Sequence, residues 1–303
     1  MIDADRIVEA EFDADMRRVA ALPLWRGNIR PEILPGGLSN RNFVVRDGGD
    51  SYVVRLVGGD DPAHGIVRAR EIAVSQAAHR AGIAPELVHA EEGLLVLRLV
   101  EGHTLTAAEV AEPAMLRRIA ALLRRCHGEV AAYLRGPAPC FWVFHALRCY
   151  LAALAEHGVS RERIDRLHRI AAVLEAAVGP TRLALTHNDL MPGNLIDDGE
   201  RLWLIDWEYA GFGAPLFDLA SLAVDNGLDA GAQETLLAAY FRRAPSTTLR
   251  RRFAAMRIAA ALREAVWARV QEINPVLDFD YAGYAEEHES RFEAEYAAFG
   301  SLR

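Results

Sequence analysis

With 303 residues, half of them hydrophobic and a quarter charged, the chain has the make-up of a globular protein with room for one large core or two smaller ones. Its formal charge of −8 argues against a grip on nucleic-acid phosphates and is compatible with a cationic small-molecule partner. No apolar run reaches the roughly 18 residues of a membrane span. The acidic start MIDADRIVEAEFDAD lacks the apolar core of a signal peptide, and Cys126, Cys140 and Cys149 form neither a metal spacing nor an even-numbered framework, so a cytoplasmic location is expected. All 34 basic residues are arginine, so any task usually given to lysine falls to arginine.

In chain order, residues 3–21 carry apolar positions at helical spacing, and Pro23 stops them. EILPGGLSNRNFVVRDGGDSYVVRLVGG then reads as strand, Gly-rich turn, strand, tight DGGD turn, strand. GIVRAREIAVSQAAHRAG predicts a helix with Gly82 at its C-terminal cap. PELVHAEEGLLVLRLVEG adds two strands around an EEG turn. Residues 1–100 thus form a small β-rich unit with one interposed helix.

From Leu105 onward helices dominate: AAEVAEPAMLRRIAALLRRCHGEVAAYL, HALRCYLAALAEHG, RERIDRLHRIAAVLEAAVG, and again from PLFDLASLAV to the end. One segment interrupts them. LALTHNDLMPGNLIDDGERLWLIDWEYAG has two apolar stretches around a loop and a DDGE turn, the pattern of a hairpin inserted among helices. The expected fold class is α+β, with a second, larger and mostly helical unit over residues 101–303.

That hairpin carries H-x-D-x-x-x-x-N followed by a strand ending in aspartate, the order that phosphoryl transfer from a nucleotide requires. A carboxylate must reach the acceptor hydroxyl, which assigns Asp189 as base. Asn194 and Asp206 offer oxygen ligands to Mg²⁺, a hard cation. Gly36, Gly37, Ser39 and Asn40 lie in a turn where backbone N–H groups can approach phosphates closely. Arg55, on the next strand, would hold phosphate oxygens through its guanidinium, and Glu71 on the following helix would pair with it. His187 is read as orienting the catalytic loop. The structural alternatives are an exposed strand-end arginine at 55 and a solvated helix face at 71.

GGLSNRNFVV, YVVRL, the helix carrying Glu71, THNDLMPGN and LIDWEYAGFGAPLFDLA occur in an order that resembles the choline/ethanolamine kinases, within the wider aminoglycoside-phosphotransferase-like group of small-molecule kinases. The resemblance spans roughly residues 30 to 300. It implies a bilobal protein-kinase-like fold, with ATP and Mg²⁺ as cofactors and a small, hydroxylated, cationic acceptor. It further implies adenine contacts with the backbone around Leu99, Val100 and Glu101, and a bracing role for Asp218. His127, where such proteins often have a histidine, is expected to make a structural hydrogen bond.

Trp-Glu-Tyr after Asp206, followed at once by helix, leaves no room for an activation segment and disfavours a protein acceptor. For the substrate pocket, Trp207, Glu208 and Tyr209 lie beside the chemistry, with Glu208 read as contacting either the substrate cation or the metal. LREAVWARVQE resembles the helix from which choline kinases present two tryptophans. Trp267 matches the second, and Glu264 stands where the first would be. Tyr284 belongs to the stretch resembling the last helix. Trp267 and Tyr284 can equally be core residues. EEHESRFEAE reads as a solvated helix face. Thiamine or aminoglycoside kinases and a non-catalytic nucleotide-binding module are the rival readings, and the sequence sets no oligomeric state.

Overall fold

The structure, a computed structural model, describes residues 13–35, 41–60, 66–136, 139–273 and 279–300. The expected phosphate turn at Gly36, Gly37, Ser39 and Asn40 lies outside the described residues. Contacts divide the chain into two units, Met1–Gly59 with Pro85–Glu101, and Asp60–Ala84 with Gly102–Arg303.

The first unit is a five-stranded antiparallel sheet and a helix, α1 (13–20). Its strands are β1 (Glu32–Leu34), β2 (Arg41–Asp47), β3 (Asp50–Leu56), β4 (Leu87–Glu91) and β5 (Leu94–Arg98), in spatial order β1-β2-β3-β5-β4. The β-branched runs of β2 and β3 suit a pleated surface. Gly48 and Gly49, at φ 60° and 92°, close the two-residue turn between them, a geometry that L side chains resist. One face of the sheet buries Phe43, Val45, Val54, Leu94 and Val96 against Val19 and Leu22. The register sets Arg55, itself buried, opposite Asn42 on β2 and Leu95 on β5.

The second unit begins with α2 (Arg68–Arg80). The division expected at residue 100 placed this helix with the strands. Instead its Val74, Ala77 and Ala78 share a core with Leu116 and Leu123 of α4, because its small apolar face matches that helix. Gly82, at φ 69°, ends α2 as foreseen. Then follow β6 (His103–Thr104), α3 (Ala107–Ala111), α4 (Pro113–Tyr133), α5 (Val143–Glu156) and α6 (Arg161–Val178). The interrupting segment holds β7 (Ala184–Thr186), β8 (Leu195–Asp197), β9 (Leu202–Leu204) and β10 (Gly211–Gly213).

β8 and β9 form the expected hairpin. Its turn is fixed by the Asp198 carboxylate, which accepts the N–H groups of Glu200 and Arg201 at 2.9 and 2.8 Å. Two pairings were not legible: β6 joins β8, and β10 pairs with β7. Gly102 permits the first, since a Cβ there would lie 2.5 Å from the Asp197 carbonyl oxygen.

The remaining helices are α7 (Pro215–Asp225), α8 (Ala230–Phe241), α9 (Thr247–Gln271) and α10 (Tyr281–Phe299). Every residue from Ile258 to Ala268 of α9 is buried, so over three turns this helix has no solvent face. The acidic stretch of α10 does more than face water. Glu289 and Glu293 take Arg163 and Arg166 of α6 at 2.6 Å each. Among the described residues no helix is long and apolar enough to cross a membrane.

Candidate active site

β7 delivers the chain into His187, Asn188 and Asp189. Asn188 takes the left-handed conformation, φ 68°, which asparagine tolerates better than most residues. Asp218, in the first turn of α7 and fully buried, holds this bend. Its carboxylate accepts the backbone N–H of His187 at 2.9 Å and that of Asn188 at 2.8 Å, and meets His127 Nε2 at 2.8 Å. His127 Nδ1 in turn meets the Tyr240 hydroxyl at 2.7 Å. Asp218 thus bonds two backbone N–H groups of the bend, and His127 links it to Tyr240. His187 donates from Nε2 to the Ile205 carbonyl at 2.9 Å. Burial holds its pKa down, which disfavours the charged ring.

Asp189 is partly exposed, and its side chain is tied to the loop's second half. Asn194 Nδ2 donates to the Asp189 backbone oxygen at 2.9 Å and to its Oδ2 at 3.0 Å. With the amide nitrogen committed there, the side-chain Oδ1 of Asn194 is the atom that would serve a cation. The Ile205 N–H bonds to the Asn194 backbone carbonyl at 3.1 Å, one residue before Asp206, whose charge acts on Asp189. Asp206 is itself left-handed, φ 67°. Burial pushes the Asp189 pKa up, Arg263 opposes this, and Asp206, Glu264 and Asp225 add to it. The Asn194 amide oxygen and the Asp206 carboxylate, with the Asp189 carboxylate nearby, make an all-oxygen, negatively charged set that fits Mg²⁺.

A second cluster gathers on α9 and α10. Arg263 is buried, pairs with Glu264, and lies over the Tyr209 ring at 4.9 Å. The Tyr284 hydroxyl donates to Glu264 Oε2 at 3.3 Å. The Trp267 ring sits edge-on to Tyr281 and Tyr284, at 6.1 and 6.2 Å, and Phe279 stands 5.8 Å from Tyr284. At the end of α7, Asp225 accepts a hydrogen bond from Ser221 at 2.7 Å. Burial and the charge of Glu264 push its pKa up to about 7.

Two residues expected beside the substrate are buried in the structure. Trp207 is buried, its ring 4.7 Å from His187 and its indole N–H on the Leu204 carbonyl, so it packs beneath the loop. Glu208 accepts from Arg68 at 3.0 Å, and the same nitrogen donates to Glu71 at 2.6 Å. Glu208 is thus bound into a buried network with α2. Tyr209 carries Arg263 on its face.

In the first unit, Arg55 lies on β3. Leu99 follows the last ladder residue and donates its N–H to the Ser51 carbonyl at 2.9 Å, with Val100 and the exposed Glu101 next in the chain. Sequence reasoning missed Arg68, Asp225 and Arg263. Asp225 had a signal: seven residues after Asp218 is two helical turns, so both carboxylates share one face of α7.

A 620 Å³ cavity bounded by α5, α6, α9 and α10 is lined on α9 by Leu262, Ala265, Val266 and Arg269. Helical spacing turns these away from Glu264 and Trp267.

A small sheet unit and a larger, mostly helical unit are the make-up of the protein-kinase-like phosphotransferases. The sequence model of the phosphotransferase enzyme family matches residues 31–256, and the chain belongs to that family. It is 29% identical over 211 residues to protein LicA of Haemophilus influenzae, a match covering 68% of this chain and 61% of LicA, so it spans about three-fifths of that relative. Ethanolamine kinase 2 of Mus musculus is 25% identical over 294 residues, covering 87% of this chain and 75% of the mouse protein. The crystal structure of a choline/ethanolamine kinase family protein from Mesorhizobium loti superposes with a TM-score of 0.78 at 28% identity, covering 96% of this chain and 98% of that one.

Proposed function

We propose that the protein transfers the γ-phosphoryl group of ATP to the hydroxyl of a small cationic amino alcohol, of the choline or ethanolamine kind. The observation that carries this reading is the juxtaposition of Asp189, Asn194 and Asp206 with a carboxylate-and-aromatic cluster on α7, α9 and α10. The likeness to an ethanolamine kinase and to a choline/ethanolamine kinase family structure supports it.

In this reading Asp189 aligns the acceptor hydroxyl and takes its proton, while Asn194 and Asp206 hold Mg²⁺. Mg²⁺, when bound, offsets charge on the phosphoryl oxygens. Arg55 supplies a permanent cation to the nucleotide phosphates, the segment Leu99–Glu101 meets the adenine, and Gly36, Gly37, Ser39 and Asn40 cover the phosphates. The loop brace through Asp218 keeps Asp189 in position, and positioning and electrostatics do most of the work in this reaction type.

The acceptor's ammonium lies against Trp267 and Tyr284, with Glu264 and Asp225 as counter-charges. Carboxylates accept hydrogen bonds from N–H donors, so an amine bearing N–H is favoured over a quaternary ammonium. A panel of amino alcohols, sugars and thiamine, with ADP release read for each, tests this. Acceptor-dependent release with ethanolamine-like compounds is expected, and a preference for a neutral sugar would overturn the cationic pocket.

A further inference from the structure

Asp206 stands in a short segment whose backbone has to be held. It is left-handed, and its ladder contact on one side is the Ile205 N–H bonded to the Asn194 carbonyl. On the other side the chain turns at Trp207, whose carbonyl accepts the Ala210 N–H at 3.0 Å, before entering β10. Glu208 lies inside that turn, two residues from Asp206, with only 4% of its side chain exposed. A buried carboxylate needs a charged donor, and Arg68 of α2 is one.

Arg68 Nη1 donates to Glu208 Oε2 at 3.0 Å and to Glu71 Oε2 at 2.6 Å, and the Glu71 side chain is 1% exposed. Arg68 is fixed as well, since its backbone N–H donates to Asp60 Oδ1 at 2.8 Å at the start of α2. One guanidinium nitrogen therefore joins the first turn of α2 to the turn that follows Asp206, with both carboxylates removed from solvent.

We infer that Arg68 is a positioning residue for the metal site: through Glu208 it locks the 206–210 turn, and with it the direction of the Asp206 carboxylate. The inference rests on the reading of Asp206 as a metal ligand, and it makes Glu71 part of the same brace. Groups that orient a metal ligand without touching the ion typically alter its affinity by about 10–100-fold when removed.

Two readouts separate this role from general stability and from the proposed activity. In protein without metal or nucleotide, amide hydrogen exchange should quicken at Ile205 and Ala210 in Arg68→Gln, while the β2 and β3 amides and the Asp198 turn stay protected. In the Mg²⁺ titration of nucleotide binding, the half-saturating Mg²⁺ concentration should rise about 10-fold or more. Acceptor KM should move by less than about twofold. Arg68→Lys, which keeps a charged donor, should recover part of the loss. Arg250→Met, which breaks the exposed Arg250–Glu234 bridge, should change neither readout.

Should Arg68→Gln fail to fold, Arg68→Gln with Glu71→Gln removes one of the two buried charges and still deletes the guanidinium bridge. Unchanged exchange at Ile205 and Ala210 in whichever variant folds would overturn the inference. A parent protein with no Mg²⁺-dependent nucleotide binding would overturn the metal reading, while the exchange result would still decide the brace.

Discussion

Asp225→Asn is the most informative substitution on α7. The folded protein holds the Asp225 proton with a pKa of about 7 against an ordinary 3.8, for reasons of burial first and the Glu264 charge second. Folding therefore tightens proton binding, so the contribution of this group is fully present below about pH 4 and is lost as pH rises toward 7. At about 1.4 kcal/mol for each tenfold change in proton affinity the full span is worth about 4 kcal/mol. Solvent screening of a partly exposed carboxyl brings the part lost between pH 5 and 8 to about 2 kcal/mol.

Asparagine cannot ionise and keeps an oxygen to accept the Ser221 hydroxyl. Urea denaturation of both proteins at pH 5 and pH 8, without ligands, should show the variant gaining about 2 kcal/mol on the parent at the higher pH. The comparison cancels the titrating groups that do not interact with Asp225. Parallel pH profiles for the two proteins would refute the placement of Asp225 as a strained, ionisable wall of the cluster. The same charge should help a cationic acceptor: its KM should fall as pH rises through 7 in the parent, and Asp225→Asn should flatten that dependence in steady-state assays.

Asp189→Asn should lower turnover by about 10²–10⁴-fold while nucleotide affinity, followed by calorimetry, is retained. A fully active variant would remove Asp189 as base. Trp267→Leu should raise KM for a cationic acceptor by about 2–30-fold, the worth of one cation–π face, with little change in KM for ATP in the same assay. Gly213→Ala should destabilise by about 1–3 kcal/mol in thermal unfolding, through overpacking. Its Cβ would stand 2.6 Å from Thr186 Oγ1 and 2.9 Å from the Phe141 carbonyl oxygen.

The elements most legible in the sequence were those with a strong local signal. The DGGD turn, the Gly82 cap and the 195–204 hairpin each depend on residues adjacent in the chain, and each stands where expected. The spacing of His187, Asp189, Asn194 and Asp206 was readable for the same reason, because one loop and one hairpin bring them together. Non-local partnerships were not. Glu208 looked like a substrate contact because nothing in IDWEYA shows that a guanidinium 140 positions upstream will bury it. Trp207 was ambiguous because aromatic residues serve cores and ligand faces alike. The grouping of α2 with the helical unit depended on how well its alanine face fits α4, which periodicity alone does not encode.

Helix α9 has a consequence for how this chain reaches its native state. A stretch buried on every side, apolar except for the Arg263–Glu264 pair, gains little from docking onto a single neighbour, so it is sheltered only once α5, α6, α7 and α10 have closed around it. Until then MRIAAALREAVWARV is exposed on a nascent or heated chain and is the segment through which molecules would coalesce. Loss of activity on heating should consequently depend on protein concentration and heating rate, and cooling should return little of it.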